Sequence, residues 1–157
     1  TGFLTLRSGP DTVCLARRVG RYPIQVLAID VGDRRPLGVS SAGIAMLAHL
    51  PAGTVRAILA ENRQRLPTYG TNPAEALRTV AAARGRGFAL RERGLVPGTR
   101  ALSVAVEHTP KAGAPLLAAV TIAAIARRLP AQRIDQVAER LRAAAADLTQ
   151  GLMRVGG

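Results

Sequence analysis

Tryptophan is absent from this chain, and aromatic residues make up only 3% of it. The core must therefore be built from Ala, Val, Leu and Ile, and stacking on bases or sugars has few candidates. A single cysteine, Cys14, excludes an internal disulfide and fits a reducing compartment. It lies in an apolar strand-like run, where a cysteine is a core residue more often than a nucleophile. The two histidines, His49 and His108, have no second ligand at a metal-binding spacing. Acidic residues number ten and are dispersed, so no paired-carboxylate site can be argued. Gly85-Arg86-Gly87 lacks the lysine and Ser/Thr of a phosphate loop. Nothing here supports catalysis, and neither a cofactor nor a metal is expected. No apolar run approaches the ~18 residues of a membrane span, and no signal peptide is expected. The expectation is a soluble, cytoplasmic protein with no membrane partner.

Lysine is also nearly missing. Of 22 basic residues only Lys111 is a lysine, and the net charge is +12. Such a balance can attract nucleic acid or acidic ligands at long range. The arginines are nevertheless scattered, in no run longer than Arg17-Arg18, Arg34-Arg35 or Arg127-Arg128, and no zinc-finger or helix-turn-helix pattern accompanies them. They read as a solvated surface before they read as a DNA-binding face.

The 48% of hydrophobic residues in 157 is enough for one domain, 1–157, with a core that needs no staples. Because the chain opens at Thr1-Gly2, inside a strand-like pattern and without an initiator methionine, it reads as a fragment of a longer protein. Runs 3–7 and 12–18 predict two strands joined by the turn Ser8-Gly9-Pro10-Asp11, and 24–31 predicts a third. A helix over 42–50, capped by Ser40 or Ser41 and stopped by Pro51, leads to a second one carrying Val55, Ile58 and Leu59. Asn72-Pro73-Ala74-Glu75 starts a third, with Leu77, Val80 and Ala81 inward. Strands over 88–90, 100–107 and 115–125 follow. Last comes an amphipathic helix over 130–152, with Ile134, Val137, Ala138, Leu141, Ala145, Leu148 and Leu152 on its apolar stripe. This order predicts an α+β fold, an antiparallel sheet covered by helices.

In the late strands, alternation puts Leu102, Val104, Val106, Val120 and Ile122 on one face. Ala101, Ser103, Ala105, Ala119, Thr121 and Ala123 take the other. A face of such small residues either lets a helix pack very close or leaves a cavity.

The stretch 30–51 contains a basic turn, a Ser/Ala/Gly corner and a helix start, where free backbone N–H groups suit a small anion or carbonyl. Gly32, Arg34, Pro36, Leu37, Ala42 and Gly43 resemble, in order, the Gly-x-Arg-x-Pro-Leu turn and Ala-x-Gly helix start of the effector-binding domain in IclR-type transcriptional regulators. Arg86-Gly87-Phe88-Ala89 is similar to that family's entry into its late sheet, and Gly98 and Gly113 fall at its later turns. The resemblance covers nearly the whole chain. It implies a GAF/profilin-like sheet with helices on both sides and an effector on the small-residue side. It also implies homodimers or homotetramers, and DNA contact only through a separate N-terminal winged-helix domain.

Carried over position by position, the resemblance assigns Ser41, Ala42 and Gly43 to the effector pocket, with Arg91 where the family has an acid. Ala101, Thr121 and Ala123 follow from the late strands, and Leu27, Arg35 and Thr99 extend the expected wall. Ile44 stands where a lysine is common in the family. One or two guanidinium forks in a small apolar lining would suit a carboxylate effector with a hydrophobic or aromatic body, although Arg91 could equally be a surface arginine on a loop. Two other readings of the chain remain: a small enzyme acting on a carboxylate in the same pocket, and direct DNA binding by the arginines.

Overall fold

The structure, a computed structural model, describes every residue except Gly94, Ala112, Gly156 and Gly157. Two strands open it, β1 (Gly2–Ser8) and β2 (Asp11–Arg18), turned at Gly9 with φ +59°. A short β3 (Arg34–Pro36) precedes α1 (Ser41–Leu47), α2 (Ala52–Glu61) and α3 (Pro73–Arg86). Then come β4 (Ala89–Arg91), β5 (Thr99–His108), β6 (Leu116–Ile125) and α4 (Ala131–Val155). The six strands form one sheet in the order β3-β2-β1-β6-β5-β4, every pair antiparallel. The fold is α+β, as the order of apolar patterns predicts.

Each face of the sheet has its own core, because the strands alternate as expected. Leu102, Val104, Val106 and Val120 pack beneath Ile134, Ala138, Leu141 and Ala145 of α4. On the opposite face, Ala119 and the partly buried Ala105 lie under α1, whose seven residues are all buried. Small side chains there let a helix approach the sheet closely, and α2 and α3 close the layer outside it with Val55, Ile58, Leu59, Ala76, Val80 and Ala83. Caps follow the sequence: the Ser40 hydroxyl accepts from the Gly43 N–H at 3.1 Å, and the Asn72 side chain accepts from the Glu75 N–H at 2.9 Å.

Four expectations are corrected. Residues 24–31 do not form a strand. Only Val26 of this segment is fully buried, and Cys14 holds the residues after it to β2 through Cys14 N–H to Asp33 O (3.0 Å) and Gly32 N–H to Cys14 O (2.8 Å). The first helix ends at Leu47, three residues early. In α3 the buried stripe is Ala76, Val80 and Ala83, while Leu77 is 37% exposed and Ala81 lies outside. In α4 full burial stops at Ala145, and Leu148 faces outward.

Candidate functional site

Small residues leave space where α1 begins over β5, β6 and β1. Ala101, Thr121 and Ala123 form the floor, continued by Phe3 and Thr5 of β1. Strand register explains the grouping: Ala101 pairs with Ala123, Ser103 with Thr121, and Phe3 with Thr121 on its other side. Ser40, Ser41 and Ala42 make the roof. Val26, Ala28 and Ile29 supply one wall, and Arg91, Leu95 and Thr99 the other. The chamber measures about 40 Å³, room for a few water molecules. A larger, polar cleft of about 430 Å³ adjoins it between β4, the Gly70-Thr71 turn and the first half of α3. Ser41 and Arg91 line both spaces and so stand at the partition between them.

Among the described residues, Arg91 is the one charged side chain in the chamber lining. Its Nε donates to the Arg93 carbonyl at 2.9 Å. Burial draws its pKa below the ordinary arginine value, and the nearby Glu75 opposes that shift. A guanidinium remains charged under such conditions, so the partition presents a cation to both spaces. Behind the floor runs a chain of buried hydroxyls: Ser41 Oγ lies 2.8 Å from Ser103 Oγ, which lies 2.6 Å from Thr121 Oγ1.

Seven of the ten residues proposed from sequence line this chamber: Ser41, Ala42, Arg91, Thr99, Ala101, Thr121 and Ala123. Three do not. Gly43 faces the preceding turn and β2, where a Cβ would lie 3.3 Å from Gly38 N and 3.5 Å from Thr12 Cγ2. Its amide is occupied by the Ser40 cap. Leu27 is 53% exposed, because the segment around it is not a strand, and its neighbours Val26, Ala28 and Ile29 turn inward instead. Arg35, on the edge strand β3, pairs with Asp33 at 3.7 Å and sits over the Tyr69 ring at 5.8 Å. Among the described residues, one guanidinium fork therefore reaches the chamber. Sequence reasoning missed Phe3 and Thr5, which the alternation of β1 could have placed on the small face. It also missed Ser40, placed only as a helix cap, and Leu95, Val26, Ala28 and Ile29, whose irregular backbone gives no periodic signal.

The remaining reactive side chains have structural surroundings. Cys14 is buried at 2% exposure, and burial pushes its thiol pKa up, away from the nucleophilic thiolate. His49 Nδ1 lies 3.1 Å from Glu107 Oε1 on the surface. Among the described residues no group of His, Cys, Asp or Glu could hold a metal ion, and no helix is long and apolar enough to cross a membrane.

A family model, the bacterial transcriptional regulator IclR C-terminal domain, matches residues 3–150. The chain belongs to the IclR family. Solved structures of IclR regulators share its fold. A Rhodococcus sp. RHA1 protein assigned as a transcriptional regulator is 27% identical over 99% of this chain and 62% of its own, with a TM-score of 0.81. The Thermotoga maritima IclR is 23% identical, over 96% of this chain and 60% of its own, at 0.80. An IclR homologue from Microbacterium hydrocarbonoxydans, solved in complex with 4-hydroxybenzoate, is 21% identical over 95% and 59%, at 0.71. This IclR effector domain thus spans about three fifths of the length of those regulators. No curated protein matches it in sequence.

Proposed function

We propose that this IclR effector domain binds an organic acid, aromatic or aliphatic, with the apolar body in the chamber and the carboxylate at Arg91. The carrying observation is Arg91 at the rim of a chamber otherwise lined by small and apolar side chains. A guanidinium fork matches a carboxylate in bidentate fashion. The 4-hydroxybenzoate held by the Microbacterium homologue is an acid of this class. No histidine, aspartate or glutamate lines the chamber among the described residues, so no base stands beside Ser41 or Thr121 to activate them. That favours sensing over catalysis. The effector-binding unit is the whole of 1–157.

At about 40 Å³ the chamber is contracted relative to typical ligand sites of ~300 Å³ or more. An effector of benzoate size must push its walls outward. Residues 24–29, 92–93 and 95–98 form the walls that can give, since they carry no regular secondary structure. Binding then favours an expanded arrangement over the contracted one, which is the differential affinity that a regulatory domain needs. In the full regulator, a cytoplasmic homodimer or homotetramer, that shift biases DNA binding by a separate winged-helix domain.

A thermal-shift screen with aromatic and aliphatic carboxylates tests the reading. A ligand at ~100 times its Kd stabilises by ~2.7 kcal/mol, several degrees in a domain of this size. The shift should shrink to near zero in Arg91→Ala and persist in Arg140→Ala, on the exposed face of α4. Equal shifts in both variants contradict the assignment.

A further inference from the structure

The hydroxyl chain beneath the chamber has a fixed proton count. Ser41, Ser103 and Thr121 carry one hydroxyl proton each, and the chain contains two hydrogen bonds. Ser103 sits at the centre, fully buried and outside the chamber lining. It has a single proton, so it cannot donate to both neighbours. Were it to accept from both, its own proton would be buried without an acceptor, a costly state. The chain therefore runs in one direction, either from Ser41 to Thr121 or the reverse. In the first direction Ser41 turns lone pairs to the chamber and Thr121 a free proton, and in the second the roles exchange. Among the described residues neither end hydroxyl has another partner. Both line the chamber.

The chamber's polar face thus offers one donor and one acceptor, coupled through a residue that touches no ligand. We infer that Ser103 is a specificity-determining positioning residue and that the effector is a hydroxylated organic acid, its hydroxyl on this relay and its carboxylate on Arg91 at the rim. The inference rests on the acid-binding reading of the chamber. A hydroxyl satisfies both ends of the relay at once, accepting from one and donating to the other. A carboxylate only accepts, so one of its oxygens would face the lone pairs of the acceptor end. A methyl ether has the same defect, and an unsubstituted acid leaves both ends unanswered.

Isothermal titration of the domain with benzoate, 3- and 4-hydroxybenzoate, 4-methoxybenzoate, hexanoate and 6-hydroxyhexanoate separates these cases. In the wild type, a hydroxy acid should bind about tenfold or more tightly than its unsubstituted parent, and the preferred hydroxybenzoate should outbind the methyl ether by a similar factor. Ser103→Ala frees Ser41 and Thr121 to rotate independently, so the hydroxyl-to-methoxy ratio should fall below about threefold while benzoate affinity changes by less than about threefold. Thr121→Val, close in shape, should remove the same preference and stands in if Ser103→Ala does not fold. Equal affinities within each wild-type pair, or ratios unchanged in the variants, overturn the relay while leaving the acid site intact. Binding of none of the six acids by the wild type overturns both.

Discussion

Gly38 shows why single positions around the site tolerate so little. Its φ of +108° lies in the region that favours glycine, and an added Cβ would come within 2.8 Å of Leu59 Cδ2, itself buried. Gly38→Ala should lower unfolding stability by about 1–3 kcal/mol in a urea titration, whereas a change below about 0.3 kcal/mol would mean that the turn relaxes freely. Cys14 makes a pH-dependent prediction. Burial raises its thiol pKa, so the folded state holds the proton more tightly than the unfolded chain. Stability from this group is full below the ordinary thiol value and is lost as pH rises through the higher folded value. Urea midpoints measured across the alkaline range should therefore fall more steeply for wild type than for Cys14→Ala; parallel curves would contradict it. At this scale the sequence was informative where a side chain's neighbours are set by strand alternation, as at Ala101, Thr121 and Ala123. It misled at Arg35 and Leu27, whose directions depend on a short edge strand and an irregular loop. Asn62, fully buried with its amide donating to Pro10 O at 2.8 Å and Leu37 O at 3.2 Å, gave no signal at all. A polar residue at the end of an amphipathic helix looks solvated until the turns it ties together are placed.

Among the elements, α3 is the one most openly written in the sequence. An asparagine cap, a proline in the first turn, a glutamate three residues on and a closing glycine at φ +77° all agree. Asn72→Ala should cost about 1 kcal/mol of stability by chemical denaturation, and a cost near zero would show the cap bond of 2.9 Å to be idle. The late strands were equally legible, since two runs of alternating bulky and small residues fix which face each helix covers. The stretch 24–31 was not. Its apolar residues satisfy a strand pattern, yet Val26, Ala28 and Ile29 are drawn into the chamber wall, and the one strand that pairs beyond β2 is the three-residue β3. Local periodicity reports how much apolar surface a segment must bury. It does not report whether a sheet edge or a cavity will bury it. A loop ordered by such a wall, across the chamber from Leu95, is also the kind of boundary that a ligand can displace without breaking the sheet.

For the whole molecule, +12 of charge sits on a fold whose interior is almost free of it. Six of the seven ion pairs among the described residues use arginine, each with at least one exposed partner, where a pair contributes little to stability. Arg91 is the exception in place: a partly buried guanidinium set where a small apolar chamber meets a larger polar cleft. Family membership accounts for the sheet and its helices, while the chemistry of the effector depends on what this chain puts along that boundary. The chamber's contracted volume makes the account sensitive to a single change in bulk. Ala123 lies on the floor at 6% exposure, beside Phe3 and Val26, and leucine there would occupy the remaining space. Calorimetric titration of wild type and Ala123→Leu, with the acid that gives the largest thermal shift, tests the site most directly. The account predicts a Kd at least about tenfold weaker in a variant that still melts cooperatively, and an unchanged Kd would place the effector somewhere else.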